Sequence, residues 1–160
     1  MIYFDSSVWY AALNGGHESH REAQAILRSE RGTVWHRFLA LEVEHAIRRI
    51  KNDAHRTAAV DVLLGLFREG VLLESQDLNR CLVSAMAEAC TLSSRHSKPG
   101  DVVGTADILH LVMAERAKAP VVTRDAAQAE FARRIGMSDV RLLTSKGKKA
   151  PGANAEGQED

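Results

Sequence analysis

The chain has little of several features that would identify its class at once. Of its 160 residues, two are cysteine and three are proline, aromatic residues make up 5%, and the formal net charge is zero. Cys81 and Cys90 fit neither a zinc knuckle nor a redox pair, so we expect small buried side chains in a reducing compartment. Because the chain has no excess of basic residues, its overall charge cannot attract nucleic acid. Any contact with nucleic acid would have to come from local basic patches or from a metal ion.

Long apolar runs are also missing. No segment approaches the roughly 18 apolar residues of a membrane span, and Asp5 interrupts the N-terminal segment where a signal peptide needs continuous hydrophobic residues. We therefore expect a cytoplasmic protein without membrane association. Apolar residues make up 45% and charged residues 26% of the chain, as in an ordinary soluble domain.

Short apolar strands alternate with amphipathic helices along the chain. This order predicts an α/β domain over residues 1–144, with right-handed crossovers and a parallel sheet covered on both faces. Residues 145–160 are rich in Gly, Ala, Lys and acids without apolar periodicity, and are predicted to be a disordered tail. Strands are predicted at 1–4, 33–35, 71–73, 121–123 and, at an edge, 140–143. Helices are predicted at 6–13, 17–28, 38–50, 54–67, 78–89, 105–117 and 126–135.

Four acidic residues, Asp5, Glu42, Asp107 and Asp125, fall where these strands or loops lead into helices. Ligands of open parallel sheets bind beyond the carboxyl ends of the strands, so Asp5 and Asp125 would share a crevice if the first and fourth strands are neighbours. Converging carboxylates repel one another unless a cation joins them, and hard oxygen ligands suit Mg²⁺ or Mn²⁺. The sequence has no G-x-S-x-G elbow, P-loop or H-E-x-x-H motif.

Each acid also has an ordinary structural interpretation. Asp5 and Asp125 are suited to capping helices, and an acid in the first turn, such as Asp107, is favoured by the helix dipole. Glu42 lies beside apolar residues of its helix, whereas Glu44 is placed to form a surface ion pair four residues before Arg48. Asp101, in a loop after Pro-Gly, is expected to be solvated.

Four segments together resemble a known family. These are M-I-Y-F-D-S-S at 1–7, L-E-V-E-H-A-I-R-R at 41–49, T-A-D-I-L-H-L-V-M-A at 105–114 and V-V-T-R-D at 121–125. In this order and separation they look like a PIN-domain ribonuclease of the bacterial VapC toxin type, from Met1 to about Leu143. The resemblance implies a three-layer α/β/α fold with a central parallel sheet of four to five strands.

The resemblance also implies roles for individual residues. Asp5, Glu42, Asp107 and Asp125 match the acids that hold Mg²⁺ or Mn²⁺, through which a water molecule attacks an RNA phosphodiester. Ser7 and Thr123 match hydroxyls that orient carboxylates or metal-bound water around such a site. Implied partners are RNA, a second copy of the chain in a homodimer, and an antitoxin protein. Trp35-His36-Arg37 replaces small hydroxyl-bearing residues and is expected to make the rim of the site bulkier.

Other polar residues have weaker signals. Arg124, beside Asp125, and Arg48, on the helix of Glu42, are candidates for RNA phosphate contacts. His110 is expected to have a structural role, with the crevice as the alternative. Five other histidines fall on polar or loop positions and are expected to be exposed: His17, His20, His45, His55 and His96.

Two rival functions stay open at this point. In an aspartyl phosphotransferase of the haloacid-dehalogenase kind Asp5 would be the nucleophile, but a second Asp is expected two residues later, where this chain has Ser7. A non-catalytic RNA-binding or protein-interaction module with the same fold is the other alternative. An RNA cleavage assay with Mg²⁺, Mn²⁺ and chelator separates it from the nuclease.

Overall fold

The computed structural model describes residues 1–30 and 32–143, and the predicted alternation of strands and helices is present throughout that part. The predicted tail at 145–160 lies outside the described residues, as does the domain boundary at residue 144. The strands are β1 (Tyr3–Phe4), β2 (Thr33–Trp35), β3 (Leu72–Glu74), β4 (Val121–Thr123) and β5 (Val140–Leu142). The helices are α1 (Ser6–Leu13), α2 (His20–Ser29), α3 (Arg37–Arg48), α4 (Asp53–Arg68), α5 (Gln76–Arg80), α6 (Leu82–His96), α7 (Thr105–Arg116) and α8 (Ala126–Arg134).

All strand pairs in the described residues are parallel. β4 lies between β1 and β5, and β2 pairs with β3. Ile2 joins the two halves through a bridge to Thr33, donating to the Gly32 carbonyl at 3.2 Å and accepting from Val34 at 2.9 Å. The order is therefore β3-β2-β1-β4-β5, which confirms a central parallel sheet with β5 at an edge.

Alternate strand residues face opposite helical layers, as the pleat requires. Ile2 and Phe4 pack with residues of α1–α4, while Tyr3, Val34 and Val121 pack with residues of α6–α8. This arrangement confirms the three-layer α/β/α fold. Because helices cover both faces, the carboxyl ends of the strands are left as the place where polar side chains can meet.

The largest buried side chain, Trp9 of α1, anchors the first layer. It is 0% exposed and makes edge-to-face contacts with Phe4, at 6.3 Å between ring centroids, and with Trp35, at 5.3 Å. Aromatic pairs in this geometry add to the large stabilisation that comes from burying their area. The packing fixes the start of α1, and therefore the backbone around Asp5, against the sheet.

The predicted helix at 78–89 is wrong as a single element. The Ser75 hydroxyl caps α5 by accepting from the Leu78 amide at 3.2 Å, α5 ends at Arg80, and α6 starts at Leu82. The inward face of α6 is formed by small residues such as Ala85 and Ala89, so Cys90, one position further round the helix, is exposed. The prediction that both cysteines are buried is therefore wrong, since Cys81 is only half-buried.

No helix in residues 1–30 and 32–143 is both long and apolar enough to cross a membrane.

Candidate active site

The carboxyl ends of β1 and β4 meet at the middle of the sheet. Phe4 is in register with Val122, and the Asp5 amide donates to the Val122 carbonyl at 3.1 Å. Asp5 follows β1 directly, while Asp125 follows β4 after Arg124. The first and fourth strands are therefore neighbours, which was the condition for Asp5 and Asp125 to share a crevice.

Asp5 is buried, with 4% of its surface exposed, and both of its carboxylate oxygens accept hydrogen bonds. Its Oδ1 accepts from the Ser7 hydroxyl at 2.7 Å and from the Val8 amide at 3.0 Å, which caps α1. Its Oδ2 accepts from the Thr123 hydroxyl at 2.6 Å. Burial raises the pKa of Asp5 above its ordinary value, and these hydrogen bonds only partly offset that effect. Asp5 therefore combines a capping role with a buried, electrostatically unfavourable position.

The hydroxyls of Ser7 and Thr123 tie the two strand ends together. The Ser7 oxygen accepts from the Arg124 amide at 3.1 Å, and the Thr123 oxygen accepts from the Asp125 amide at 2.9 Å. Each hydroxyl thus donates to Asp5 and accepts from the backbone that follows β4. Through these hydrogen bonds the two hydroxyls fix the orientation of the Asp5 carboxylate.

Asp125 and Asp107 lie at the starts of two further helices. Asp125 caps α8, its Oδ1 accepting from Ala127 at 2.8 Å and from Gln128 at 3.1 Å. Asp107 Oδ2 accepts from the Gly104 amide at 2.8 Å. Burial raises the pKa of Asp107, and the negative charges of Asp125 and Asp5 raise it further. The charges of Asp125 and Asp5 therefore reach Asp107 across the same end of the sheet.

Glu42 reaches this region from α3. Its side chain is 24% exposed, whereas that of Glu44 is 56% exposed and pairs with Arg48 at 2.5 Å, which confirms the predicted distinction between the two. Glu42 Oε2 accepts a hydrogen bond from His110 Nε2. Burial alone would raise the pKa of Glu42, but the contacts with His110 and Ser6 outweigh it and hold the pKa below its ordinary value.

Two aromatic residues beneath the acids were missed by sequence reasoning. Tyr3 and His36 are fully buried, and the Tyr3 hydroxyl lies 2.8 Å from His36 Nε2 and 2.7 Å from His110 Nδ1. His110 is 1% exposed and bonds to the side chains of Tyr3 and Glu42 rather than to the backbone, which is compatible with the structural role expected for it. The expectation of a bulky rim is wrong for Trp35 and His36, which lie inside the protein, whereas Arg37 is exposed. The sequence did contain a signal for His36, because it directly follows strand β2 just as Asp5 directly follows strand β1.

The candidate phosphate-binding arginines are already engaged. Arg124 has an 18% exposed side chain that lies 3.6 Å from Glu18 and donates to His17 Nε2 at 2.9 Å. Arg48 is exposed but paired with Glu44. Asp101 is not freely solvated as expected, because it pairs with Arg134 at 2.5 Å. Of the histidines expected to be exposed, only His45 is; the half-buried ones are His17, His20, His55 and His96.

A cleft of about 720 Å³ opens beside Glu42, between α1 and α3. It combines the hydroxyls of two serines with aromatic rings and basic side chains. Its lining consists of Ser6, Ser7, Tyr10, Phe38, Leu41, Glu42, His45, Ala46 and Arg49. A lining that combines polar, charged and aromatic side chains is suited to a ligand that carries both charge and rings.

The donor chemistry of this region suits a hard cation. Among residues 1–30 and 32–143, no group of three or more Asp, Glu, His or Cys side chains is arranged to hold a metal ion. The acids themselves, however, offer carboxylate oxygens of the kind that Mg²⁺ and Mn²⁺ prefer. The raised pKa values of Asp5 and Asp107 reflect buried negative charge without sufficient compensation, which a bound cation would supply.

Several solved structures share this fold, among them the three described next. VapBC2 from Rickettsia felis bound to a DNA fragment from their promoter is 17% identical, with a TM-score of 0.60, and the match covers 89% of this chain and 98% of that one. Mycobacterium tuberculosis VapC20, a sarcin–ricin loop cleaving toxin, is 18% identical with a TM-score of 0.61, covering 88% and 99%. FitAcB from Neisseria gonorrhoeae is 17% identical with a TM-score of 0.56, covering 92% and 100%.

The sequence comparisons give the family. Among curated proteins no sequence matches the chain. The sequence profile of the PIN domain family matches residues 2–134. This range includes all the strands except β5 and the four acids Asp5, Glu42, Asp107 and Asp125. The match spans most of the chain and agrees with the three-layer fold. This chain belongs to the PIN domain family.

Proposed function

We propose that this chain is a divalent-metal-dependent endoribonuclease of the VapC toxin type. The observation that carries the proposal is the set of acids at the carboxyl ends of β1 and β4. Asp5 is buried with a raised pKa, and Asp107 is raised in pKa by burial and by Asp125 and Asp5. Structural side chains are seldom left with such uncompensated charge, whereas functional sites commonly have perturbed carboxyls.

In this proposal Asp5, Glu42, Asp107 and Asp125 would hold one or two Mg²⁺ or Mn²⁺ ions. Such an ion lowers the pKa of bound water and stabilises charge that develops on a phosphodiester. Ser7 and Thr123 keep both oxygens of Asp5 oriented through their hydrogen bonds. The products are a 5′-phosphate and a 3′-hydroxyl.

The substrate reaches the acids through the cleft between α1 and α3, where rings and basic groups suit an RNA strand. Arg124 contacts phosphate after releasing Glu18 or His17, and Arg48 contacts phosphate at the surface. The described activity of VapC20 as a sarcin–ricin loop cleaving toxin supports an RNA target. VapBC2 and FitAcB support an antitoxin partner, and we propose a cytoplasmic homodimer inhibited by such a protein.

RNA cleavage by the purified full-length chain tests this function. Wild type should cleave RNA with Mg²⁺ or Mn²⁺ and lose the activity in chelator. Glu42→Gln should reduce cleavage about a hundredfold or more, since even residues around a metal site cost 10–100-fold when changed. Glu44→Gln, two residues away on the same helix, is the matched control and should retain activity. Cleavage that persists in chelator, or full activity of Glu42→Gln, would refute the proposal.

One observation favours a second candidate, the non-catalytic module that binds RNA or protein. Asp5, Asp107 and Asp125 are occupied by hydrogen bonds from their own chain, and no described group of three side chains is arranged around a cation. In that case wild type binds RNA in gel-shift assays but cleaves none of it at any Mg²⁺ or Mn²⁺ concentration. The same set of reactions therefore decides between the two.

A further inference from the structure

Tyr3, His36 and His110 come from three separate elements and meet beneath Glu42. Tyr3 is on β1, His36 precedes α3, and His110 is on α7. All three are at most 1% exposed. Buried polar groups need partners, and the geometry here leaves only one consistent placement of the protons.

The placement starts at His36. Its Nδ1 accepts from the Leu39 amide at 3.4 Å, which caps α3, so the proton of the neutral ring lies on Nε2. Burial lowers the pKa of His36 to about 4, which keeps the ring neutral at neutral pH. Nε2–H therefore donates to the Tyr3 hydroxyl, 2.8 Å away.

The rest of the chain follows from that donor. The Tyr3 hydroxyl has one proton of its own to donate. It cannot donate to His36 Nε2, so it donates to His110 Nδ1 at 2.7 Å. His110 Nδ1 is thus an acceptor, and the ring proton on Nε2 is donated to Glu42 Oε2.

We infer that the helix cap of α3 sets the direction of a hydrogen-bond chain, from Leu39 through His36, Tyr3 and His110, that holds the Glu42 carboxylate in place. Tyr3 and His36 are positioning residues that act on Glu42 through His110. The inference deepens the proposed function, on which it rests, because the carboxylate held is one of those proposed to bind the metal. Residues that hydrogen-bond to a metal ligand orient that ligand toward the metal.

Tyr3→Phe tests the inference by removing a single oxygen from the middle of the chain. In the metal-free full-length protein, ¹⁵N NMR of the imidazoles should show the Nε2–H tautomer of His110 in wild type and a tautomer mixture in the variant. Mn²⁺ affinity should fall about 10–100-fold. Cleavage should show a lower kcat with an unchanged KM for RNA, and higher Mn²⁺ should restore part of it.

Thr33→Val is the matched control. Thr33 is also fully buried in the sheet, but its hydroxyl has no hydrogen-bond partner among the described residues. Its removal should leave the His110 spectrum and the Mn²⁺ affinity as in wild type. His36→Asn is a second variant that keeps an acceptor for the Leu39 amide, since Asn is a preferred cap, while it removes the donor to Tyr3. Its effect should have the same sign as that of Tyr3→Phe.

The outcomes separate the two proposals. If wild type binds Mn²⁺ and cleaves RNA, but folded Tyr3→Phe and His36→Asn keep the wild-type affinity and tautomer, the positioning chain is refuted and the nuclease stands. If wild type neither binds Mn²⁺ nor cleaves RNA, the nuclease fails and the positioning of a metal-binding group fails with it. Should Tyr3→Phe not fold, the measurements on His36→Asn decide.

Discussion

The two residues of β1 face opposite sides of the sheet and have opposite surroundings. Phe4 points into a layer of apolar side chains, where Trp9 and Trp35 pack edge to face. Tyr3 points toward two buried histidines and the charge of Glu42. Both side chains are 0% exposed, so the difference lies in what surrounds them.

The difference teaches how a small domain separates stability from orientation. Apolar contacts on the Phe4 side stabilise the fold in proportion to buried area and tolerate small shifts. Polar contacts on the Tyr3 side contribute less net free energy, but they are directional and costly to leave unmade. Substitutions on the first side should therefore lower stability, and those on the second should mainly disturb the site.

The largest expected effect is on the Phe4 side. Trp9→Ala should lower the free energy of unfolding by about 3–5 kcal/mol, the usual cost of emptying a buried aromatic position. Val83→Ala, at a side chain that is 82% exposed, should change it by less than about 0.5 kcal/mol. Urea denaturation followed by circular dichroism measures both. A loss under about 1 kcal/mol for Trp9→Ala would show that this layer is not the main source of stability.

A smaller but more selective effect is expected at Thr123. Thr123→Val keeps the shape but leaves the Asp125 amide without its acceptor and Asp5 Oδ2 without its donor. The free energy of unfolding should fall by about 1–3 kcal/mol. Mn²⁺ affinity, measured by calorimetry, should fall about tenfold or more. Thr123→Ser, which retains the hydroxyl, should recover most of the affinity; failure to do so would implicate packing instead.

The pH dependence of stability should reveal the charge of Asp5. Because its folded pKa is raised, the native state keeps a proton that the unfolded state has lost, so stability decreases as pH rises through the window above about 4. In chelator, the difference in unfolding free energy between Asp5→Asn and wild type should therefore grow in favour of the variant over this window. Glu42 should have the opposite effect on the pH dependence of stability. Because its folded pKa is lowered, it stabilises the native state at pH values above its unfolded pKa, and this contribution is lost as the pH falls.

Adding Mn²⁺ provides the control for that measurement. It should stabilise wild type at pH 7 and leave Asp5→Asn unchanged, because binding to the native state alone raises stability. Equal stabilisation of both proteins would mean that the ion binds elsewhere.

The smallest effect is expected at the surface. The Arg48–Glu44 pair is well exposed on both sides, so Arg48→Gln should change the free energy of unfolding by no more than about 0.5 kcal/mol. If Arg48 contacts RNA phosphate, the slope of log affinity against log salt should fall by about one. Arg80→Gln, at an exposed i,i+3 pair with Asp77, is the control. An unchanged slope for Arg48→Gln would remove this residue from the proposed RNA surface.

Local rules account for most of what the sequence predicted. Asp5 and Asp125 were recognisable because each follows an apolar strand and opens a helix, and both positions are set by neighbouring residues in the chain. Glu42 could be distinguished from Glu44 by helical register alone. The neighbouring placement of β1 and β4 could be posed only as a condition, because local rules do not set the strand order of a parallel sheet.

Tyr3, His36 and His110 could not be connected in this way. The hydroxyl of Tyr3 bonds to rings that are 33 and 107 residues away, and no periodic pattern records such a pairing. Tyr3 also looked like an ordinary apolar strand residue, since a buried tyrosine has the same period as phenylalanine. The break between α5 and α6 at Cys81 was missed because the apolar spacing continues across it.

The central place of β1 has a consequence for synthesis on the ribosome. Thr123, whose hydroxyl completes the shell of Asp5, lies 118 residues later in the chain. At roughly 5–20 residues per second, the nascent polypeptide carries β1 without β4 for roughly 6–24 s. A translation product that stops before residue 121 has Asp5, Glu42 and Asp107 but lacks β4 and Asp125, so the acidic centre is assembled only after β4 has been synthesised.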